Sequence, residues 1–193
     1  MPLTTIDPKT ALVVIDLQKG IVAAPAVHPV AEIVQRSARL AAAFRKQDQP
    51  VVLVNVAGRA PGRTDADQAA GSGFTPPADW TELVTELDAQ PSDHRVTKQR
   101  WGAFHDSTLD AHLRELGVTQ IVLAGVATSV GVESTARWAY ELGYHVVLAT
   151  DAMTDLSLAA HDNSVQRIFP RLGETATTAE VLAMLDDTGR DTK

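Results

Sequence analysis

The sequence predicts an α/β protein, a three-layer α/β/α sandwich around a doubly wound, mainly parallel sheet. Two observations carry this. Residues 11–15 (ALVVI), 51–56 (VVLVNV), 121–124 (IVLA) and 146–149 (VVLA) are apolar at nearly every position instead of alternating, the pattern of strands buried on both faces. Segments with helical spacing lie between them, and strands alternating with helices of about 10 to 15 residues indicate parallel βαβ units with right-handed crossovers.

After the first strand, Val30, Ile33, Val34, Ser37, Leu40, Ala41 and Phe44 recur at steps of three and four, which predicts a helix with one face on the sheet. The second strand, 51–56, leads into residues 57–79, rich in Gly, Pro and Asp and too long for an ordinary connection: either a disordered excursion or a loop over a binding site. A short segment, 94–98 (HRVTK), follows. Leu109, Leu113 and Leu116 mark a helix that stops at Gly117. After the strand at 121–124, a helix spans about 132 to 142, with Gly143 as its stop. Beyond the strand at 146–149, another helix starts near Leu158 and ends before Pro170, and a last one follows Thr178.

At 193 residues the chain is expected to form a single domain, residues 1–193, with no internal repeat. A chain of this size buries roughly 70% of its unfolded surface, so its core needs no staple. Seventeen Lys and Arg stand against 24 Asp and Glu, a net charge of -7, which opposes nucleic-acid binding. The absence of cysteine excludes disulfides, thiolate metal sites and a thiol nucleophile. No stretch approaches the roughly 20 apolar residues of a membrane span and the N-terminus lacks a signal-peptide pattern, so a cytoplasmic protein without membrane contact is expected.

In open parallel sheets ligands sit beyond the carboxyl ends of the strands, so polar residues that end apolar strands count most. Asp16 ends the first strand; the plain alternative is a cap on the next turn. Lys98 ends the segment at 94–98, where a lysine is more often solvated surface, and Trp101 and Phe104 just after it also suit an ordinary core. In AGVATSVGVE, residues 124–133, a strand runs through small residues into a helix whose first turn holds Gly131. Such a turn offers N–H groups to an anion or oxyanion, or simply permits close packing. There is no G-x-G-x-x-G, P-loop, H-E-x-x-H or G-x-S-x-G motif, so neither nucleotide, metal nor serine triad is indicated.

Together VVIDLQ (Asp16, Gln18), TKQRWGAF (Lys98, Trp101, Phe104) and LAGVATSVGVESTARWAYELGYHVVLATDA resemble the isochorismatase-like, or cysteine hydrolase, superfamily over nearly the whole chain. The wording is similar to a bacterial subgroup with glycine in place of the nucleophilic cysteine. The resemblance implies a six-stranded, Rossmann-like parallel sheet, a homo-oligomer, and a catalytic Asp, Lys and Cys falling on Asp16, Lys98 and Gly131. It also implies a cis peptide at Val126-Ala127. Gln18, Trp101, Phe104, Val126, Ala127, Thr128 and Ser129 become the expected substrate-binding residues.

Glycine at 131 removes the covalent chemistry. The metal-binding Asp and His of nicotinamidases have no counterparts in NVAGRAPGRTDAD, so nicotinamide deamidation, a metal and any cofactor are not expected. A glycine here resembles the isochorismatases proper, which hydrolyse a vinyl ether without a covalent intermediate. That likeness implies a thiol-independent hydrolase of a small anionic molecule, with Asp16 as proton donor and Lys98 positioning the substrate. Isochorismate itself is not implied, because those enzymes carry Ala-His at Thr128-Ser129. For Asp16 to donate near neutral pH, burial must offset the pull of the ammonium. Two other readings stand beside this one: a non-catalytic binding or assembly subunit, and Thr128 or Ser129 as nucleophile.

Overall fold

The computed structural model describes residues 1–58, 63–64 and 76–191. Six strands form one all-parallel sheet: β1 (Thr10–Ile15), β2 (Val51–Val56), β3 (His94–Lys98), β4 (Gln120–Val126), β5 (His145–Thr154) and β6 (Glu174–Ala176). Their order is β3-β2-β1-β4-β5-β6, doubly wound outward from β1. Helices α1 (Lys19–Val22), α2 (Val30–Lys46), α3 (Leu109–Glu115), α4 (Glu133–Glu141), α5 (Leu158–Asn163), α6 (Phe169–Leu172) and α7 (Thr178–Asp191) complete the described structure, with a 3₁₀ turn at Thr85–Leu87 and π-helical turns at Thr128–Val132 and Ser164–Ile168.

The unbroken apolar runs are explained by two cores. Leu12 and Val14 of β1 pack with α2 and α7 on one face, whereas Ala11, Val13 and Ile15 pack with α3, α4 and Phe169 on the other. Every β1 residue is therefore buried. The predicted stripe of α2 is the buried one, except that Val30 at its start is only half-buried. Leu116 lies past the end of α3 and is exposed, contrary to its expected place on the buried stripe.

The structure fills in three of the expected elements. β5 runs on to Thr154 because a bulge shifts its pairing with β4 from Leu123↔Leu148 to Gly125↔Met153. Segment 94–98 is an edge strand in register with β2, Val56 opposite Lys98. The helix from Leu158 ends before Pro170, at Asn163, but a π-helical turn carries the chain on from it into α6, whose first turn holds Pro170, where a missing N–H is tolerated. Most of 57–79, expected as either a disordered excursion or a loop over a binding site, lies outside the described residues.

Candidate active site

The carboxyl ends of β1, β3 and β4 converge on one crevice, where connections leave β1 for opposite faces of the sheet. Asp16 follows β1 directly, with φ 52°, a left-handed conformation that aspartate adopts more readily than most residues other than glycine. Its N–H donates to Val54 O, which holds the turn against β2. Lys98, the last residue of β3, donates from Nζ to Asp16 Oδ2 at 2.7 Å and to the Arg100 carbonyl at 3.1 Å. Both side chains are almost fully buried, 2% exposed for Lys98 and 7% for Asp16. Asp16 Oδ1 has no partner among the described residues. Burial pushes the Asp16 carboxyl up to about 6, against the opposing pull of the Lys98 charge and hydrogen bond.

Beyond β4 the chain passes through a cis peptide at Val126-Ala127 into the π-helical turn Thr128–Val132. Gly131 in that turn is buried. A Cβ there would stand 2.9 Å from Ile15 Cγ2 and 3.3 Å from Asp16 Oδ2, so its backbone comes closer to the acid than a side chain allows without neighbours shifting.

Asp155, the residue after β5, holds the turn from behind. Its Oδ2 accepts from both the N–H and Oγ of Ser129, at 2.7 and 2.8 Å, and its Oδ1 accepts from the N–H groups of Leu156 and Ser157. Its carbonyl accepts from the Val27 N–H. Thr128 Oγ1 lies 2.9 Å from His161 Nδ1, and burial, followed by the nearby His28, holds the His161 pKa below its ordinary value.

These elements enclose a cavity of about 320 Å³ with Asp16, Lys98 and Gly131 on its wall. Ile21, Val22, Ala26 and Val30 give the cavity an aliphatic lining, to which Trp80, Trp101 and Leu156 add larger apolar side chains. Trp80 can lie there because residue 20 is glycine: a Cβ at Gly20 would fall 2.0 Å from Trp80 Cδ1.

Of the expected site residues, Asp16, Lys98, Gly131, Val126, Ala127 and Trp101 line this cavity, and Gln18, Phe104, Thr128 and Ser129 do not. The Gln18 amide is consumed in a clamp, accepting from Val56 N–H and donating to the carbonyls of Val56 and Trp80. Phe104 is core, its ring 5.8 Å from that of Tyr144. The Thr128 hydroxyl is engaged with His161 and the Ser129 hydroxyl with Asp155, and neither residue lines the cavity. Trp80, Leu156, Asp155 and the wall from Ile21 to Val30 were not among the expected residues. Asp155 ends a strand just as Asp16 does, a signal hidden when β5 is taken to stop at 149. Among the described residues no group of three or more His, Cys, Asp or Glu is placed to hold a metal, and no helix is long and apolar enough to cross a membrane.

Against known proteins, residues 10–180 match the family model described as the isochorismatase domain. The isochorismatase family protein YwoC of Bacillus subtilis is 45% identical over 179 residues, covering 90% of this chain and 93% of that one. The structure of an isochorismatase family protein from Burkholderia thailandensis superposes with a TM-score of 0.86 at 42% identity, over 94% of this chain and 98% of that one. The ureidoacrylate amidohydrolase RutB of Variovorax paradoxus is 46% identical over 79 residues, 41% of this chain and 31% of its own.

Proposed function

The chain belongs to the isochorismatase family of hydrolases, and from that premise we propose that it hydrolyses a small organic molecule with Asp16 and Lys98 as the working pair and with no covalent thiol intermediate. The 2.7 Å contact between these side chains at the cavity wall, with Asp16 Oδ1 left unengaged, carries the reading. Gly131 stands in for the nucleophile of the cysteine hydrolases; the chain has no cysteine, and a glycine has no atom with which to attack.

The chemistry this pair suits is enol-ether hydrolysis. Protonated Asp16 delivers its proton to the enol-ether carbon, leaving an oxocarbenium ion beside the carboxylate it has become. Water adds to that cation and its proton returns to Asp16. The resulting hemiketal collapses to a ketone and an alcohol. A carboxyl raised to about 6 supports the donor role, because an acid is most effective when its pKa lies near the working pH. Lys98 balances the carboxylate formed and keeps one N–H for a substrate oxygen, since Asp16 and the Arg100 carbonyl occupy the other two.

Partial likeness to an amidohydrolase admits an amide in place of the enol ether, with Lys98 polarising its carbonyl. Binding without turnover is the rival, motivated by the same missing thiol. A homo-oligomer belongs to the proposal, with Trp138, Tyr140 and Leu158 as exposed apolar surface for it. The test is product detection in a screen of enol ethers and amides. Asp16→Asn should lower turnover about 10² to 10⁴-fold yet retain ligand-induced thermal stabilisation. Turnover unchanged in Asp16→Asn rejects the acid, and stabilisation without product throughout the screen favours the rival.

A further inference from the structure

We propose that Arg100 is a specificity-determining residue of this site, and that it selects a small monocarboxylate with an apolar body, the carboxylate on its guanidinium and the body along the aliphatic lining. This names the substrate class of the site above and rests on that site's location, though not on its turnover.

The charge of the lining carries the inference. The chain as a whole has a net charge of -7, yet among the described residues the cavity is lined by two cations, Lys98 and Arg100, against one carboxylate, Asp16. Lys98 and Asp16 neutralise each other at 2.7 Å, which leaves the Arg100 guanidinium as the charge without a counterpart. Arg100 is half-buried, and no carboxylate of the described residues pairs with it. Such a guanidinium presents five N–H donors in a planar fork that fits a carboxylate with two parallel bonds. Its carbonyl meanwhile accepts from Lys98 Nζ at 3.1 Å, so the backbone that carries the anion receptor is tied to the working pair. Gln99 also lines the cavity and adds an amide with two further donors. One carboxylate brings this lining to neutrality, the condition under which charge is tolerated away from water.

The rest of the lining sets the body of the ligand. Ile21, Val22 and Val30 present hydrocarbon, against which further polar groups would lose water without gaining a partner. Trp101 and Leu156 line the cavity too, and at 62% and 67% exposed they are large apolar surfaces for a ligand to cover. A volume of about 320 Å³ is at the small end of ligand pockets, which run from about 300 to 1,000 Å³, so the body is about the size of one ring or a branched alkyl chain.

Non-hydrolysable isosteric pairs test this without any turnover: phenylacetate against phenylacetone, and isovalerate against isobutyl methyl ketone, titrated by calorimetry or ligand-observed NMR. At about pH 7.5, where both acids are ionised, each carboxylate should bind at least about tenfold more tightly than its ketone. Arg100→Met removes the fork and leaves the backbone carbonyl that holds Lys98, so it should abolish that preference while ketone binding holds steady. Arg100→Lys keeps the charge without the fork and should recover part of it. Arg100→Gln replaces the first variant if that one does not fold. Ketones binding as tightly as carboxylates in the unaltered protein, a preference that survives the loss of the guanidinium, or no binding of either at about 1 mM overturns the proposal. Phenyl phosphate binding more tightly than phenylacetate overturns the choice of a monocarboxylate. Arg100-dependent carboxylate binding by a protein that cleaves nothing leaves the proposal intact while the hydrolase reading fails, and turnover without any carboxylate preference does the reverse.

Discussion

Lys98 Nζ lies 2.7 Å from Asp16 Oδ2, although 82 residues separate the two and β2 runs between their strands. The parallel sheet makes this possible by ending β1, β2 and β3 at the same edge, and the left-handed turn at Asp16 sets its carboxylate where the lysine reaches it. An ion pair ordinarily holds an aspartate well below neutrality. Here burial outweighs the partner and the group is poised near 6.

The pH dependence follows from that balance. If protonated Asp16 is the donor, turnover should be level below about 6 and fall about tenfold per pH unit above it, as a pH–rate profile will read. Folding runs in the same direction. Asp16 binds its proton more tightly folded than unfolded, so its stabilising contribution is fully present below 3.8 and is lost as pH rises through about 6. Lys98→Met removes the opposing influence, so the limb should move to higher pH. Above it the variant leaves a buried carboxylate unpaired, at a cost of about 3 to 5 kcal/mol in denaturant titrations. A limb that stays in place argues that another group controls the rate.

How much of this was legible depends on which physical signal each residue carried. β1 and β2 could be read to within a residue because burial on both faces leaves an unbroken apolar run. β6 is three residues long, too short for a pattern, and the extension of β5 holds Thr150 and Asp151, polar residues that a bulge carries through the strand. At the site, Asp16 and Lys98 were legible as polar ends of strands. Gln18, Phe104, Thr128 and Ser129 were expected there from the family resemblance, but their side chains go to a clamp, a core or the contacts with His161 and Asp155. Trp80 and the wall from Ile21 to Val30 reach the cavity only through long-range packing, which no local motif encodes.

Gly131→Cys probes the floor of the site. The new Cβ would stand 2.9 Å from Ile15 Cγ2, so a loss of about 1 to 3 kcal/mol from overpacking is expected in thermal denaturation. With the Lys98 charge nearby, its thiol should be alkylated by iodoacetamide at neutral pH faster than free cysteine. An inert thiol in a folded variant would show that this position lacks the environment of a nucleophile.

Gly20→Ala isolates the Trp80 wall. A methyl group 2.0 Å from Trp80 Cδ1 forces the indole off its place, and the Gln18 amide that donates to the Trp80 carbonyl is strained with it. Ligand binding should weaken and tryptophan fluorescence should shift, while the pH limb set by Asp16 stays near 6. Unchanged fluorescence and affinity would mean that the indole wall adapts without loss.

Asp155 is the residue through which the walls are held together, and Asp155→Asn separates its two duties. With the amide oxygen in the Oδ1 position, Leu156 and Ser157 keep their acceptor, but an NH₂ then faces the Ser129 N–H, which loses its partner. The cost of losing a hydrogen bond to a charged group, about 1.5 to 3 kcal/mol, should therefore fall on the turn Thr128–Val132 and not on the segment from Leu156. Hydrogen exchange checks it residue by residue: protection should drop across the turn while 156–158 hold theirs. Because that turn carries Gly131 against Asp16, loosening it should lower turnover more than ligand affinity. Equal losses of protection in both segments would mean that Asp155 braces the whole carboxyl end of β5 and has no particular hold on the turn.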